Sequence, residues 1–235
     1  MGKGRSSGKE NIELDDWEAR LNAVSVSGET LDGLVLDYLT TEGYAEAAQA
    51  FAQESGRSPP PDPGASARTE IRRAVQQGDI ERAVDAVNDL DASVLEADPG
   101  LFFQLQRQRL IELVRAGDPA AALAFAQEFV APLAADDPRL LEDLEQTVAL
   151  LLFQQPADSP MAALLSEGQR RRTAGELNAA VLRAQSRAPE ASLLRLLQLL
   201  LWLQARVQRL ATCPVIHDLV EGSLVAPGAA EAAST

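Results

Sequence analysis

Apolar residues recur along most of the chain at intervals of three and four. Leu31, Leu34, Val35 and Tyr38 fall at i, i+3, i+4 and i+7, the spacing that lines up side chains on one stripe of an α-helix. After Gly43 the same interval returns in Tyr44, Ala47, Ala48 and Phe51. Leu140, Leu141, Leu144, Val148, Leu151 and Leu152 make a third stripe, and Leu177, Ala180, Val181 and Ala184 a fourth. No alternation of period two runs long enough to predict a sheet. The pattern predicts an all-α protein.

Punctuation between the stripes agrees. Asp98-Pro99, Asp118-Pro119, Asp137-Pro138 and Ser159-Pro160 each fit an N-cap followed by proline at the first helical position. The capping oxygen takes an orphan N–H, and the proline lacks one that would have gone unpaired. Gly43, Gly78 and Gly117 fit helix stops. Residues 1–11, rich in Gly, Ser and Lys, and the tail after 222 read as loose. The segment 57–67 holds four prolines and reads as an extended linker that no helix crosses. Three blocks remain, 12–56, 68–127 and 128–222.

Composition narrows the chemistry. The 235 residues are 46% hydrophobic and 24% charged, ordinary for a globular protein and enough for a core without disulfides. Cys213 is the only cysteine, which excludes an internal disulfide and, with a single histidine, argues against a His- or Cys-built zinc site. A magnesium site held by carboxylates stays open. Against 21 Lys and Arg stand 35 Asp and Glu, a net charge of −14, so nucleic acid would be repelled. The most apolar run, Leu193–Leu203, is too short to span a bilayer and is broken by Arg195 and Gln198. No secretory leader is expected, and the expected compartment is intracellular.

The paired stripes at 31–56 predict two helices of about eleven residues, too short to be stable alone. Packing such a hairpin on a copy of itself, as a four-helix bundle, is the usual remedy. An association element is therefore expected there. This segment, LDGLVLDYLTTEGYAEAAQAFAQESG, resembles a LisH motif: Leu31, Leu34, Tyr38, Leu39, Gly43, Tyr44, Ala47, Ala48, Phe51 and Glu54 sit where that pattern wants them. The following stretch resembles a CTLH motif in Ile71-Arg72, Gly78-Asp79-Ile80, Ala83–Leu90, Leu101-Phe102-Phe103 and Gln106–Leu113. Leu150–Phe153 and Ser159-Pro160 resemble the start of a CRA domain.

The three modules in this order, LisH at 30–56, CTLH at 68–127 and CRA at 128–222, cover nearly the whole chain. They resemble the scaffold subunits of the GID/CTLH E3 ubiquitin ligase, the glucose-induced degradation protein family, and in it the small stand-alone type. That resemblance implies a non-catalytic subunit that holds RING-type and substrate-receptor subunits together and promotes ubiquitin-dependent proteasomal degradation. It implies sister LisH–CTLH–CRA partners, RING-type and SPRY-containing, and an armadillo-repeat-type subunit, in homo- or hetero-oligomers. It implies a cytoplasmic and nuclear location and no cofactor. It also implies that the CRA helices fold back toward the LisH end. The alternative is a LisH-mediated dimerising adaptor in a cytoskeletal or transcriptional complex.

The residues expected to meet partners are Leu31, Leu34, Val35, Tyr38, Leu39, Tyr44, Phe51 and Trp202. Trp202 lies on a helix near 191–210 whose apolar face is so wide that burial on more than one side is expected. On the wheel it falls among Arg195, Gln198, Arg206 and Arg209, which leaves a core residue and a contact anchor as competing readings. The helix at 101–116 is likewise apolar on two sides and reads as a central core helix, with a contact surface as the second reading. Arg170-Arg171-Arg172 reads as a solvated helix start, or as a dock for an acidic partner. Cys213 and His217 are four apart, with no third orienting group and no nucleophile elbow, so a loop thiol and a solvated imidazole are expected. Gly2 fits the short myristoylation pattern, which Gly- and Ser-rich tails also match by chance.

Overall fold

A computed structural model describes residues 9–59, 61–153, 155–219 and 221–226. Gly2 and the tail from Pro227 lie outside the described residues. The helices are α1 (Leu14–Asn22), α2 (Gly28–Thr41), α3 (Ala45–Ser55), α4 (Ala65–Gln77), α5 (Ile80–Asp91), α6 (Ser93–Glu96), α7 (Pro99–Arg115), α8 (Pro119–Phe125), α9 (Ala131–Ala134), α10 (Pro138–Val148), α11 (Glu167–Ala184) and α12 (Ser192–Leu210). The fold is all-α, as the periodicity predicts. Two short pairs of strands lie at its chain ends.

Three of the four proline starts behave as their chemistry dictates. Asp98, Asp118 and Asp137 accept from the backbone N–H groups of Leu101, Ala121 and Arg139, with proline in the first turn of α7, α8 and α10. Ser159-Pro160 departs from expectation. It opens a turn between 3-10 segments at Pro156–Asp158 and Ala162–Leu165, and the Ser159 hydroxyl accepts from the N–H of Met161 instead. The α-helix begins later, at Glu167, capped by Ser166. Between α8 and α9 the chain makes a π-turn at Ala126–Val130, where Ala131 N–H reaches back to Ala126. Pro132, with no N–H to give, ends the regular ladder there.

The chain divides into two compact units, one of residues 36–191 and one combining residues up to 35 with those from 192. In the larger unit α7 is central, as its two-sided apolar pattern predicts. On one side Leu101 and Leu105 join Ile71, Val75, Val87, Leu177 and Val181 of α4, α5 and α11. On the other, Phe103, Leu110 and Val114 join Phe125, Val130, Leu144 and Leu150. Leu36 packs with Ala48 and Ala52 between α2 and α3, with Leu39 and Phe51 against them.

A buried polar node ties the end of α2 to α4 and α11. The Arg68 side chain is fully buried and donates to the carbonyls of Thr40 and Thr41 and to Asn178 Oδ1. Asn178 Nδ2 donates to Thr41 as well, at 2.8 Å. These carbonyls belong to the last turn of α2, which has no intrahelical donors for them. Asp62 ion-pairs with both Arg68 and Arg187. The extended linker expected at 57–67 is thus shorter than predicted and firmly held: α4 begins at Ala65, and Asp62 is clamped by two guanidinium groups.

The smaller unit also corrects two expectations about the chain ends. Glu10–Asn11 (β1) forms a parallel pair with Ala211–Thr212 (β2), and Ile12 N–H donates to the Thr212 carbonyl. Val215–Asp218 (β3) pairs antiparallel with Ser223–Val225 (β4). Residues 10–12 and 223–225 find ladder partners there, so these stretches are held where loose ends were expected.

Candidate functional site

The smaller unit contains α12, most of whose apolar side chains are exposed among the described residues. No residue of α12 is buried. Leu199, Leu200, Leu201, Trp202 and Leu203 are consecutive and all exposed, from 39% at Leu200 to 60% at Trp202. Five consecutive residues exceed one full turn, so apolar surface is exposed on several sides of the helix, while Leu193, Leu197 and Val207 are half-buried along one face. The expected burial on more than one side is not met within the chain. An α-helix with so wide an apolar face belongs inside a core, and among the described residues none encloses it.

The rest of this unit is alike. Leu21, Val24, Val26, Leu31 and Val35 are exposed on α1, the following loop and the first turns of α2. Two polar tethers hold the C-terminal half of α12. Lys9 Nζ donates to the Gln208 carbonyl, and Gln204 Oε1 accepts from Ile216 N–H at 2.8 Å. Exposed apolar area on this scale marks an interaction site.

The eight residues expected to meet partners separate into two sets. Leu31, Val35 and Trp202 are exposed in the smaller unit, with Leu34 half-buried beside them in sequence. Tyr38, Leu39, Tyr44 and Phe51 lie in the larger unit and are already partly occupied. Arg72 sits over the Tyr44 ring, 4.3 Å from its centroid, and donates to Glu42. The Tyr38 and Tyr44 rings are 6.5 Å apart and tilted. Burial, reinforced by the Glu42 charge, pushes the Tyr38 hydroxyl above the ordinary tyrosine range. These side chains are engaged within the chain itself. Trp202 is exposed among Arg195, Gln198, Arg206 and Arg209, all exposed.

Sequence reasoning missed Leu21, Val24 and Val26, which follow no helical stripe. Their signal was an apolar run, LNAVSV, with no core assigned to it. Arg68, Asp62 and Asn178 were missed because nothing local marks them.

Other candidate chemistry is absorbed by the fold. Arg170 pairs with Glu112 and donates to the Gln76 carbonyl, and Arg171 pairs with Glu167. Arg170 is thus tied into the fold, while Arg171 and Arg172 stay exposed near the start of α11, as expected. Burial works against the Glu112 carboxylate, but hydrogen bonds from Arg170 and Gln108 hold it below the ordinary range. Cys213 is buried and its thiol is pushed up by that burial, while His217 is exposed on β3. Among the described residues no group of three or more His, Cys, Asp and Glu could hold a metal ion, and no helix is long and apolar enough to cross a membrane.

The LisH profile matches residues 29–55, and that of the CTLH/CRA C-terminal to LisH motif domain matches 65–208. The chain is 43% identical to Protein GID8 homolog of Arabidopsis thaliana, over 94% of this chain and 92% of the relative. It is 42% identical to Glucose-induced degradation protein 8 homolog of Dictyostelium discoideum, over 91% and 94%. With GID complex subunit 8 of Schizosaccharomyces pombe it shares 33% identity over 86% and 89%.

Proposed function

As the chain belongs to the LisH–CTLH/CRA family, and in it to the glucose-induced degradation protein 8 homologues, we propose that it is a non-catalytic scaffold subunit of a GID/CTLH-type E3 ubiquitin ligase. One observation carries the reading furthest: α12 leaves apolar side chains exposed through a complete turn and has no buried residue. Fully burying a leucine stabilises by about 1.5–3 kcal/mol, so covering several of them in an assembly is worth many such increments, less the cost of association.

The cover is a second chain of LisH–CTLH–CRA architecture, seated on α12 and on the exposed residues of α1 and early α2. RING-type and SPRY-containing sister subunits fit that description, with an armadillo-repeat-type subunit as a further member. Ubiquitin transfer belongs to the RING-type partners, and this chain contributes surfaces. Its products are substrates marked for proteasomal degradation in cytoplasm and nucleus.

A tagged full-length chain, purified under native conditions and read by mass spectrometry, tests this. RING-bearing LisH–CTLH proteins should co-purify with the wild type and be lost with Leu31→Asp or Trp202→Asp. Recovery of cytoskeletal or transcriptional complexes instead would favour the adaptor alternative. His217→Ala and Cys213→Ser should leave ligase turnover intact, and loss of turnover in an assembled complex would overturn the non-catalytic role.

A further inference from the structure

The linker between α3 and α4 carries a motif that association does not use. Ser58-Pro59 and Ser159-Pro160 are the two Ser-Pro dipeptides of the chain, and the fold treats them oppositely. Ser159 is buried, and its hydroxyl accepts from Met161 N–H at 3.0 Å. Ser58 is exposed, in a stretch that is neither helix nor strand. A proline at the next position biases a residue toward extended backbone, the form in which a protein kinase takes up its substrate segment. A hydroxyl held in a buried turn cannot be presented that way.

The surroundings of Ser58 suit a phosphate. A groove of about 430 Å³ runs between α3 and the linker, with Gln49, Gln53, Arg57, Ser58 and Asp62 in its walls. Gln49 and Gln53 are four apart on α3, so both amides reach the same side. Asp62 is already paired with Arg68 and Arg187. Arg57 adds a guanidinium to the same wall, in a chain of net charge −14. A guanidinium has five N–H donors and can take a phosphate oxygen beside its existing contacts.

We propose that Ser58 is a phosphorylation site for a proline-directed Ser/Thr kinase, and that the phosphate is held in this groove by Arg57 with the Gln49 and Gln53 amides. In the transfer, Ser58 Oγ bonds to the γ-phosphorus of Mg-ATP as the bond to the bridging oxygen breaks. ADP leaves, and the hydroxyl proton passes to the kinase's base. The modification adds a charge of about −1.5 to −2 and ties the linker to α3.

The test uses the full chain with a purified proline-directed kinase and ATP, read by intact mass and peptide mapping. One phosphate is expected, at Ser58, with Ser159 unmodified. Pro59→Ala should slow incorporation at least about tenfold. No incorporation at Ser58, modification of Ser159 to the same extent, or indifference to Pro59→Ala would overturn the site. The groove is tested by phosphorus NMR on the phosphorylated chain. The second phosphate ionisation, near pH 6 in a free phosphoserine, should fall, and Arg57→Ala should return it toward that value. An unshifted ionisation, or one that Arg57→Ala leaves unchanged, would overturn the groove. Both substitutions lie in an irregular segment, and circular dichroism checks that the helices persist.

Discussion

The Arg68 guanidinium donates to the Thr41 carbonyl at 2.9 Å, across 27 positions of sequence. That bond, with those to Thr40 and Asn178, closes the open end of α2 from α4 and α11. The cation is buried, so its value depends on every acceptor around it. Removing one member of a buried pair strands the other charge and typically costs about 3–5 kcal/mol. Arg68→Ala should destabilise the chain by that order in urea unfolding. Arg73→Ala breaks only an exposed pair with Glu46 and should cost less than about 1 kcal/mol. Equal effects from the two would contradict the node.

Acid should act through Asp62 and Glu112. Burial disfavours the Asp62 carboxylate, yet the Arg187 hydrogen bond and the Arg68 charge hold its carboxyl below the ordinary range, and Glu112 is lowered similarly. A folded-state pKa below the unfolded one adds stability that is complete above the unfolded value. It is lost as pH falls from there toward the folded value. Melting temperature should therefore hold steady above about pH 5 and drop as the medium becomes more acid than the usual carboxylate range near pH 4. Asp62→Asn should be less stable near neutrality and show a shallower drop.

Gly78 ends α4 at φ +84°, and a Cβ there would lie 2.8 Å from Arg170 Nη2 and 2.9 Å from Glu112 Oε2. Gly78→Ala must bear the left-handed backbone cost, about 1–2 kcal/mol, and also push apart an ion pair. Gly56 has φ +67° but open space around it. Gly56→Ala should thus cost only the backbone share, and thermal melting of the two variants measures the difference.

Charges placed in the two sets of hairpin residues should have opposite consequences. Leu31 is 51% exposed, so Leu31→Asp should leave the melting temperature near wild type while the assembled mass in light scattering falls. Phe51 packs against the Leu36, Ala48 and Ala52 cluster, so Phe51→Asp should lower stability itself, an unpaired buried carboxylate costing several kcal/mol.

Trp202→Ala should also spare the fold, because the indole is 60% exposed. Its association should weaken by about 2 kcal/mol or more, the range of interface anchors. A loss of stability comparable with a core truncation, about 3–5 kcal/mol, would show instead that the indole is covered by its own chain.

What was legible in the sequence was what local physics decides. Capping joins an aspartate to an N–H two or three residues on, and the observed caps at Asp98, Asp118 and Asp137 obey it. Helical stripes repeat within a turn, so the all-α class and the two-sided apolar face of α7 could be read directly. Capping chemistry alone misplaced Ser159-Pro160, because the same hydroxyl also suits a tight turn, and its surroundings chose the turn.

The tertiary structure decided which stripes meet and which stay bare. Arg170 looked solvated until Glu112, 58 positions away, was found against it. The α12 pattern could not reveal whether its leucines are covered by this chain or by another, since periodicity reports that a face is apolar and not what lies opposite. Asp62 sat among prolines in an apparent linker, and only folding brought Arg68 and Arg187 to it. In each case the deciding partner is distant in sequence, and burial is a property of the pair.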